Sequence, residues 1–268
     1  MNKDNKYINL GGAYSSPFVY NFEDVEDKYK QCAYLIDKAK NIVFLTGAGI
    51  STNAGIPDFR GKEGWYNRKP EYILSMDNFL ANPKEVYKFL YTYLKTIRSR
   101  KPTKTHNIIK ALDDEKNVNI ITQNIDNLHI GSNIIHFHGD LEKAHCIKCN
   151  KEYSIDYILN DNIDSFNRCE CGGLIKPNII LYDENIDKGN LLNSKEICKK
   201  ADLIIIIGTS LVVQPFASLQ LEAPLETPFI ILNKTATYLD DNNMSIVINE
   251  NCDKSLGEIY KRYKNKDF

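Results

Sequence analysis

Four cysteines fall in two close pairs, Cys146-x-x-Cys149 and Cys169-x-Cys171, with nineteen residues between the pairs. A C-x-x-C pair followed by a second close pair is a pattern for tetrahedral Zn²⁺. Four thiolates leave the metal no open position, so its expected role is structural. Disulfides need an oxidising compartment, and free buried thiols do not account for four in this spacing. Gly172 and Gly173 follow the tighter pair and can absorb its turn. A second group of reactive side chains sits in Thr122-Gln123-Asn124-Ile125-Asp126, where two amides and a carboxylate could hold ribose hydroxyls and a carboxamide. The plain alternative is a capping turn, since Asn and Asp favour such positions. His136-Phe137-His138-Gly139 adds imidazoles, which can take up a proton near neutral pH. In a strand, His136 and His138 would share a face. Histidines more often serve structure, which is the default reading for His106, His129, His136 and His145.

These groups need a scaffold. Apolar residues recur at three- and four-residue spacing over Asp24–Lys40, which predicts a helix. Ile42–Leu45 is a short apolar, partly β-branched run that reads as a buried strand, and Val118–Thr122, Leu203–Ile207 and Phe229–Leu232 read likewise. Helical segments precede two of them, at His106–Leu112 and Asn193–Ala201, so a parallel α/β sheet is expected. Pro83–Lys101 is a further helix, with an aromatic face, that falls between two core strands and so belongs to an insertion. Residues 140–177 hold both cysteine pairs and no long periodic segment.

Directly after the first strand comes Thr46-Gly47-Ala48-Gly49-Ile50-Ser51-Thr52. Glycines here allow a tight turn and let a phosphate approach backbone amides, with a following helix aiming its N-terminus at the phosphate. A third glycine of the dinucleotide fingerprint is replaced by Thr52, and a simple strand-to-helix turn explains the pattern equally well. The next loop, residues 53–61, adds an aromatic ring in Phe59, which could shield a reactive carbon from water, and a guanidinium in Arg60, which could contact phosphate or ribose oxygens.

At this point the sequence resembles the sirtuin (Sir2) family. Its GAGIS and GIPDFRG stretches stand unbroken at 47–51 and 55–61, followed by TQNID at 122–126 and a histidine–glycine pair at 138–139. The resemblance covers roughly residues 25–265. It implies a Rossmann-like parallel sheet flanked by helices, with a small inserted zinc-ribbon module and a helical insertion. The expected layout is a Rossmann-like NAD-binding domain from 24–61, 106–139 and 178–268, a helical insertion at 62–105, a zinc module at 140–177 and an N-terminal arm at 1–23. The implied activity is NAD-dependent removal of acyl groups from protein lysine, giving nicotinamide and O-acyl-ADP-ribose. In that reaction the acyl oxygen attacks C1′ of the nicotinamide ribose, and His138 takes a proton from a ribose hydroxyl. Asn124 would order a water or ribose hydroxyl, and Asp126 with the Ile125 backbone would hold the carboxamide. Gln123 and Arg60 would position ribose and phosphate. The resemblance also assigns the loop residues Gly47, Ala48, Gly49, Ser51, Thr52 and Phe59, together with Gly208-Thr209-Ser210, Asn233 and Cys252, to the cofactor. Cys252 rests on spacing alone.

Two departures bear on substrate choice. Tyr182-Asp183-Glu184 stands where the family commonly has Phe-Gly-Glu, whose main chain pairs with the substrate peptide as an added strand. Leu90 and Tyr93 stand where succinyl- and malonyl-removing members carry a tyrosine and an arginine, so neutral acyl groups are expected.

Composition narrows the rest. With 34 basic and 35 acidic residues, nothing points to nucleic acid. Met1–Leu10 lacks an apolar signal core, and no apolar run approaches the ~20 residues of a bilayer span. A soluble, cytoplasmic protein is therefore expected, with acyl-lysine proteins or peptides as substrates. Its oligomeric state is not legible. The alternatives are an ADP-ribosyltransferase or NAD hydrolase on the same fold, and a zinc-stabilised binding module without activity.

Overall fold

The structure, a computed structural model, describes residues 24–58, 70–160, 162 and 168–268. The N-terminal arm, Phe59, Arg60 and the start of the helical insertion lie outside the described residues.

Helix α1 (Val25–Lys38) starts where the Asp24 carboxylate accepts the Asp27 N–H at 3.0 Å, satisfying one of the orphan donors of the first turn. It leads into β1 (Asn41–Thr46). A 3₁₀ helix, Ala48–Ala54, follows, where the sequence suggested an α-helix. Three helices come next: α2 (Pro70–Ile73), α3 (Met76–Ala81) and α4 (Pro83–Arg98). Then come α5 (Lys104–Asp113), β2 (Asn117–Thr122), β3 (Ile134–His136) and β4 (Gly139–Cys146). The cysteine-bearing region holds β5 (Glu152–Ser154), α6 (Ile155–Ile158) and β6 (Ile175–Ile179). The chain ends with α7 (Lys188–Cys198), β7 (Leu203–Ile207), a 3₁₀ helix at Phe216–Glu222, β8 (Phe229–Leu232), β9 (Ser245–Ile248) and α8 (Cys252–Asn265).

Six strands form a wholly parallel sheet in the order β3-β2-β1-β7-β8-β9. Strand order reverses between β1 and β7, the place where open α/β sheets bind ligands. Both faces are covered, which is why the strands read as solid apolar runs. Ile42, Phe44, Ile205 and Ile230 pack towards α1, α5 and α8, whereas Val43, Leu45, Ile204 and Ile231 pack towards α7 and the second 3₁₀ helix. The three-residue β3, and β9, which lacks the solid apolar run that marks the equally short β8, are strands only through their partners.

A second, antiparallel sheet has the order β5-β4-β6. It shares one apolar core with the helical insertion: Phe79, Val86, Tyr87 and Leu90 meet Ala144, Ile155, Leu174 and Ile175. The Tyr87 hydroxyl donates to the Ile175 carbonyl at 2.6 Å, tying α4 to β6. Segments far apart in sequence thus fold into one body beside the large sheet. None of the described helices is long and apolar enough to cross a membrane.

Candidate active site and metal centre

The carboxyl ends of β1, β2, β7 and β8 open into a cavity of about 1090 Å³, at the upper end of the ~300–1,000 Å³ usual for ligand pockets. That leaves room for a dinucleotide beside a second substrate. Its wall includes Ala48, Gly49 and Thr52 after β1, Gln123, Asn124 and Ile125 after β2, Gly208, Thr209 and Ser210 after β7, and Asn233 after β8. His138 and Cys252 complete the predicted residues found on it. Gly47, Ser51 and Asp126 do not line it.

The floor is a seam between two glycine loops. The Gly49 N–H donates to the Gly208 carbonyl at 2.8 Å, and the Gly47 N–H donates to the Ile207 carbonyl at 3.1 Å. A Cβ on Gly49 would sit 2.6 Å from the Gly208 Cα, and one on Gly208, whose φ is +63°, would sit 2.4 Å from the Ile50 nitrogen. To the expectation that these glycines let a phosphate approach the loop, the structure adds a second role at the Gly47 and Gly49 amides themselves. Both amides are already spent on the neighbouring loop, and close backbone approach is what requires glycine.

Beneath the wall lies a buried polar layer. The Ser51 hydroxyl donates to the Asp126 carboxylate at 2.7 Å, and the Asn124 side-chain amide donates to the same oxygen at 3.2 Å. The other Asp126 oxygen accepts the Leu128 N–H at 3.0 Å. Asp126 thus fixes the orientation of Asn124 from behind. The Gln123 side-chain nitrogen is buried on the cavity wall with no hydrogen-bond partner among the described residues. Such a donor suits a ligand oxygen, since leaving it unpaired costs ~1–3 kcal/mol. The Asn233 amide donates to the Thr209 carbonyl at 3.1 Å and to the Thr235 carbonyl at 2.8 Å, so it also braces the β7 loop. The Cys252 sulfur lies 3.9 Å from the Gly49 carbonyl oxygen.

β3 ends at His136, and His138 sits in the turn before β4 rather than on a strand, so the same-face argument does not apply to it. Burial lowers the His138 imidazole to about 4, opposed by a hydrogen bond to the Gln123 backbone. It is therefore neutral at pH 7 and able to accept a proton. Phe137 and Phe216 flank its ring at 5.6 and 6.3 Å. The Ile180 N–H donates to the His138 carbonyl at 2.7 Å.

Three other histidines have structural work, whereas the buried Nδ1 of His136 has no hydrogen-bond partner among the described residues. His106 Nδ1 accepts the Thr103 N–H at 3.2 Å and closes the capping box of α5. His129 Nε2 pairs with the Thr46 hydroxyl at 2.8 Å, and His145 Nδ1 pairs with the Asn178 amide oxygen at 2.7 Å.

The sulfurs of Cys146, Cys149, Cys169 and Cys171 all lie within 4.8 Å of one another. Cys146–Cys171 and Cys149–Cys169 are each 3.5 Å apart, close to the ~3.8 Å edge of a tetrahedron built on ~2.3 Å Zn–S bonds. Four thiols, with no further His, Asp or Glu in the cluster among the described residues, fit structural zinc.

The Sir2 family model matches residues 47–215, which span the glycine loop, the β2 loop, His138 and all four cysteines. An NAD-dependent protein deacetylase of Clostridium tetani is 37% identical over 244 residues, 87% of this chain and 97% of that one. The chain belongs to the Sir2 family. Among solved sirtuins, a Sir2 variant with deacetylated p53 peptide and 3′-O-acetyl ADP ribose superposes with a TM-score of 0.81 at 31% identity, covering 87% of this chain and 97% of that one. A Sir2–p53 peptide–NAD+ complex gives 0.77 at 30% identity, covering 88% and 97%.

Part of this sirtuin's cavity wall escaped the sequence reading. Ile179 to Ile186 contribute an unbroken run, joined by Lys188, Leu191, Val213–Pro215, Thr235 and Glu250. Only Tyr182-Asp183-Glu184 carried a signal in advance. Asp183 has φ +69°, so it adopts the left-handed conformation open to the family's glycine, one that Asp tolerates better than most residues.

Proposed function

We propose that the chain is an NAD-dependent protein-lysine deacylase that moves the acyl group from lysine to ADP-ribose and releases nicotinamide. The observation that carries this reading is a neutral imidazole, His138, on the wall of a cavity shared with Gln123, Asn124 and the Gly208–Ser210 loop. NAD supplies the ribose carbon that the acyl oxygen attacks. His138 takes the proton of a ribose hydroxyl, its half-buried ring flanked by Phe137 and Phe216. Asn124 orders a hydroxyl or water, held in orientation by Asp126, and the unpaired Gln123 amide takes a ribose oxygen. Ala48, Gly49, Thr52, Thr209, Ser210, Asn233 and Cys252 frame the rest of the dinucleotide. Arg60 is proposed to contact phosphate or ribose oxygens, and Phe59 to shield the reactive carbon from water. Zinc at Cys146, Cys149, Cys169 and Cys171 holds the small sheet together.

Acyl-lysine peptides enter along Leu181–Glu184. Leu90 and Tyr93, at 1% and 4% exposure, are packed into the core of the helical insertion, and no arginine lines the cavity among the described residues. Neutral acyl groups, acetyl first, are therefore the proposed substrates. The near balance of charge supports a protein that does not bind nucleic acid, and the cytoplasm is proposed as its place of action.

Incubation with NAD, with and without acetyl-lysine peptide, tests the reading. Nicotinamide release should require the peptide, and His138→Ala should abolish acyl transfer while NAD still binds. Peptide-independent nicotinamide release, or wild-type turnover by the variant, would overturn it, and faster turnover of succinyl-lysine would overturn the acyl assignment.

A further inference from the structure

Lys176, on β6, is a lysine buried to 4% exposure outside the catalytic constellation. Its ammonium has three acceptors: the Ile179 carbonyl at 2.7 Å, the Pro177 carbonyl at 3.2 Å and the Glu184 carboxylate at 3.0 Å. The same Glu184 oxygen accepts the Leu181 N–H at 2.7 Å. Between these anchors runs the stretch Ile179–Glu184, every residue of which lines the cavity. Beyond the end of β6 it belongs to no strand. Its other ties include the Ile180 N–H on the His138 carbonyl, the Glu184 N–H on the Leu181 carbonyl at 3.2 Å, and Tyr182, whose N–H donates to the Leu74 carbonyl at 2.8 Å and whose carbonyl accepts from the Met76 N–H at 3.0 Å. On the other side, Lys176 pairs with His145, one step from the register pair Cys146–Ile175. The clasp therefore joins the strand beside the metal site to the wall of the cavity.

A buried ion pair is a poor way to gain stability. Replacing one with apolar residues is often neutral or favourable, because both charges lose their hydration. What the pair supplies here is definition: five groups, the Lys176 ammonium, the Pro177 and Ile179 carbonyls, the Glu184 carboxylate and the Leu181 N–H, are fixed in one arrangement where β6 gives way to a segment that no strand continues.

We propose that Lys176 is a positioning residue of the reaction. Through Glu184 it holds residues 179–184 in the shape that receives the acyl peptide, and through Ile180 it steadies the turn carrying His138. This rests on the deacylase reading above.

The test uses the full chain with zinc bound. Initial rates are measured against acetyl-lysine peptide at saturating NAD, and against NAD at saturating peptide, for wild type, Lys176→Met, Lys176→Arg, Glu184→Gln and the double variant K176M/E184Q. Removing one partner of a buried charge pair is a large perturbation, so Lys176→Met should raise the peptide KM by about tenfold or more. The NAD KM should move by less than about twofold. Glu184→Gln should shift the peptide KM in the same direction by less, and Lys176→Arg should recover part of the loss. The double variant should be no worse than Lys176→Met, because both changes break one interaction. An unchanged peptide KM in Lys176→Met, or equal rises in both KM values with zinc lost, would overturn the proposal. Should Lys176→Met not fold, an unchanged peptide KM in Glu184→Gln overturns it alone. A wild type that turns over no acyl peptide removes the deacylase reading and the clasp with it. An active wild type with indifferent variants removes the clasp only.

Discussion

Gly139 follows the proposed base, and its geometry explains why that position is a glycine. Its φ is +76°, and a Cβ built there would lie 1.9 Å from the Asn178 carbonyl oxygen, 1.1 Å inside the 3.0 Å that real Cβ atoms respect. Gly139→Ala therefore carries two costs. The left-handed backbone costs an L-residue ~1–2 kcal/mol. Displacing a backbone carbonyl of the paired strand costs a further ~1–3 kcal/mol. Together they amount to about 2–5 kcal/mol, which for a chain of this size lowers the thermal midpoint by roughly 4–9 °C. The displaced atoms belong to the β4–β6 pairing on which Ile180 and His138 depend, so acyl transfer should fall with stability. Thermal and urea unfolding followed by circular dichroism, with zinc content and peptide turnover measured on the same samples, checks both. A variant whose midpoint stays within about 1 °C of wild type, with unchanged turnover, would refute the steric reasoning.

Acid should destabilise the protein in a defined window. Burial lowers His106 to about 4, and burial also lowers His129 well below its ordinary value. Because the folded values lie below the unfolded one near 6.5, the unfolded chain takes up protons first. Stability should therefore fall as pH drops from about 6.5 towards 4, with a shallower slope in His106→Gln by urea midpoints. Cys146→Ser should release zinc and loosen the small sheet, seen as faster proteolysis within 70–180. NAD titration should respond less, because the large sheet has its own cores. Asp183→Gly should leave the thermal midpoint unchanged or slightly raised, whereas Asp183→Val, β-branched at a positive φ, should cost about 1–2 kcal/mol.

The central strands were legible because burial on both faces forces continuous apolar runs, and Leu203–Ile207 and Phe229–Leu232 fall where the pattern ends them. The four cysteines were legible because metal chemistry fixes residue type and spacing together. What the chain did not reveal depends on distant partners. β3 and β9 are strands only through their neighbours, and the Lys176–Glu184 pair looks in sequence like two surface charges. The glycine loop was located correctly but for an incomplete reason. A sequence shows that Gly47 and Gly49 lack side chains, not that Gly208 arrives from 160 residues away to occupy the space.

That meeting has a consequence for how the molecule can change over time. The ground beneath the ligand is a party wall: one course is laid by the first half of the chain and the other by the second. Any bulk added at Gly49 or Gly208 meets the backbone of the other course, whose glycine has no side chain left to give up, so a change on one side cannot be offset by a change on the other. A designer wishing to enlarge the chamber would do better to work from its roof, along residues 179–186, than from below.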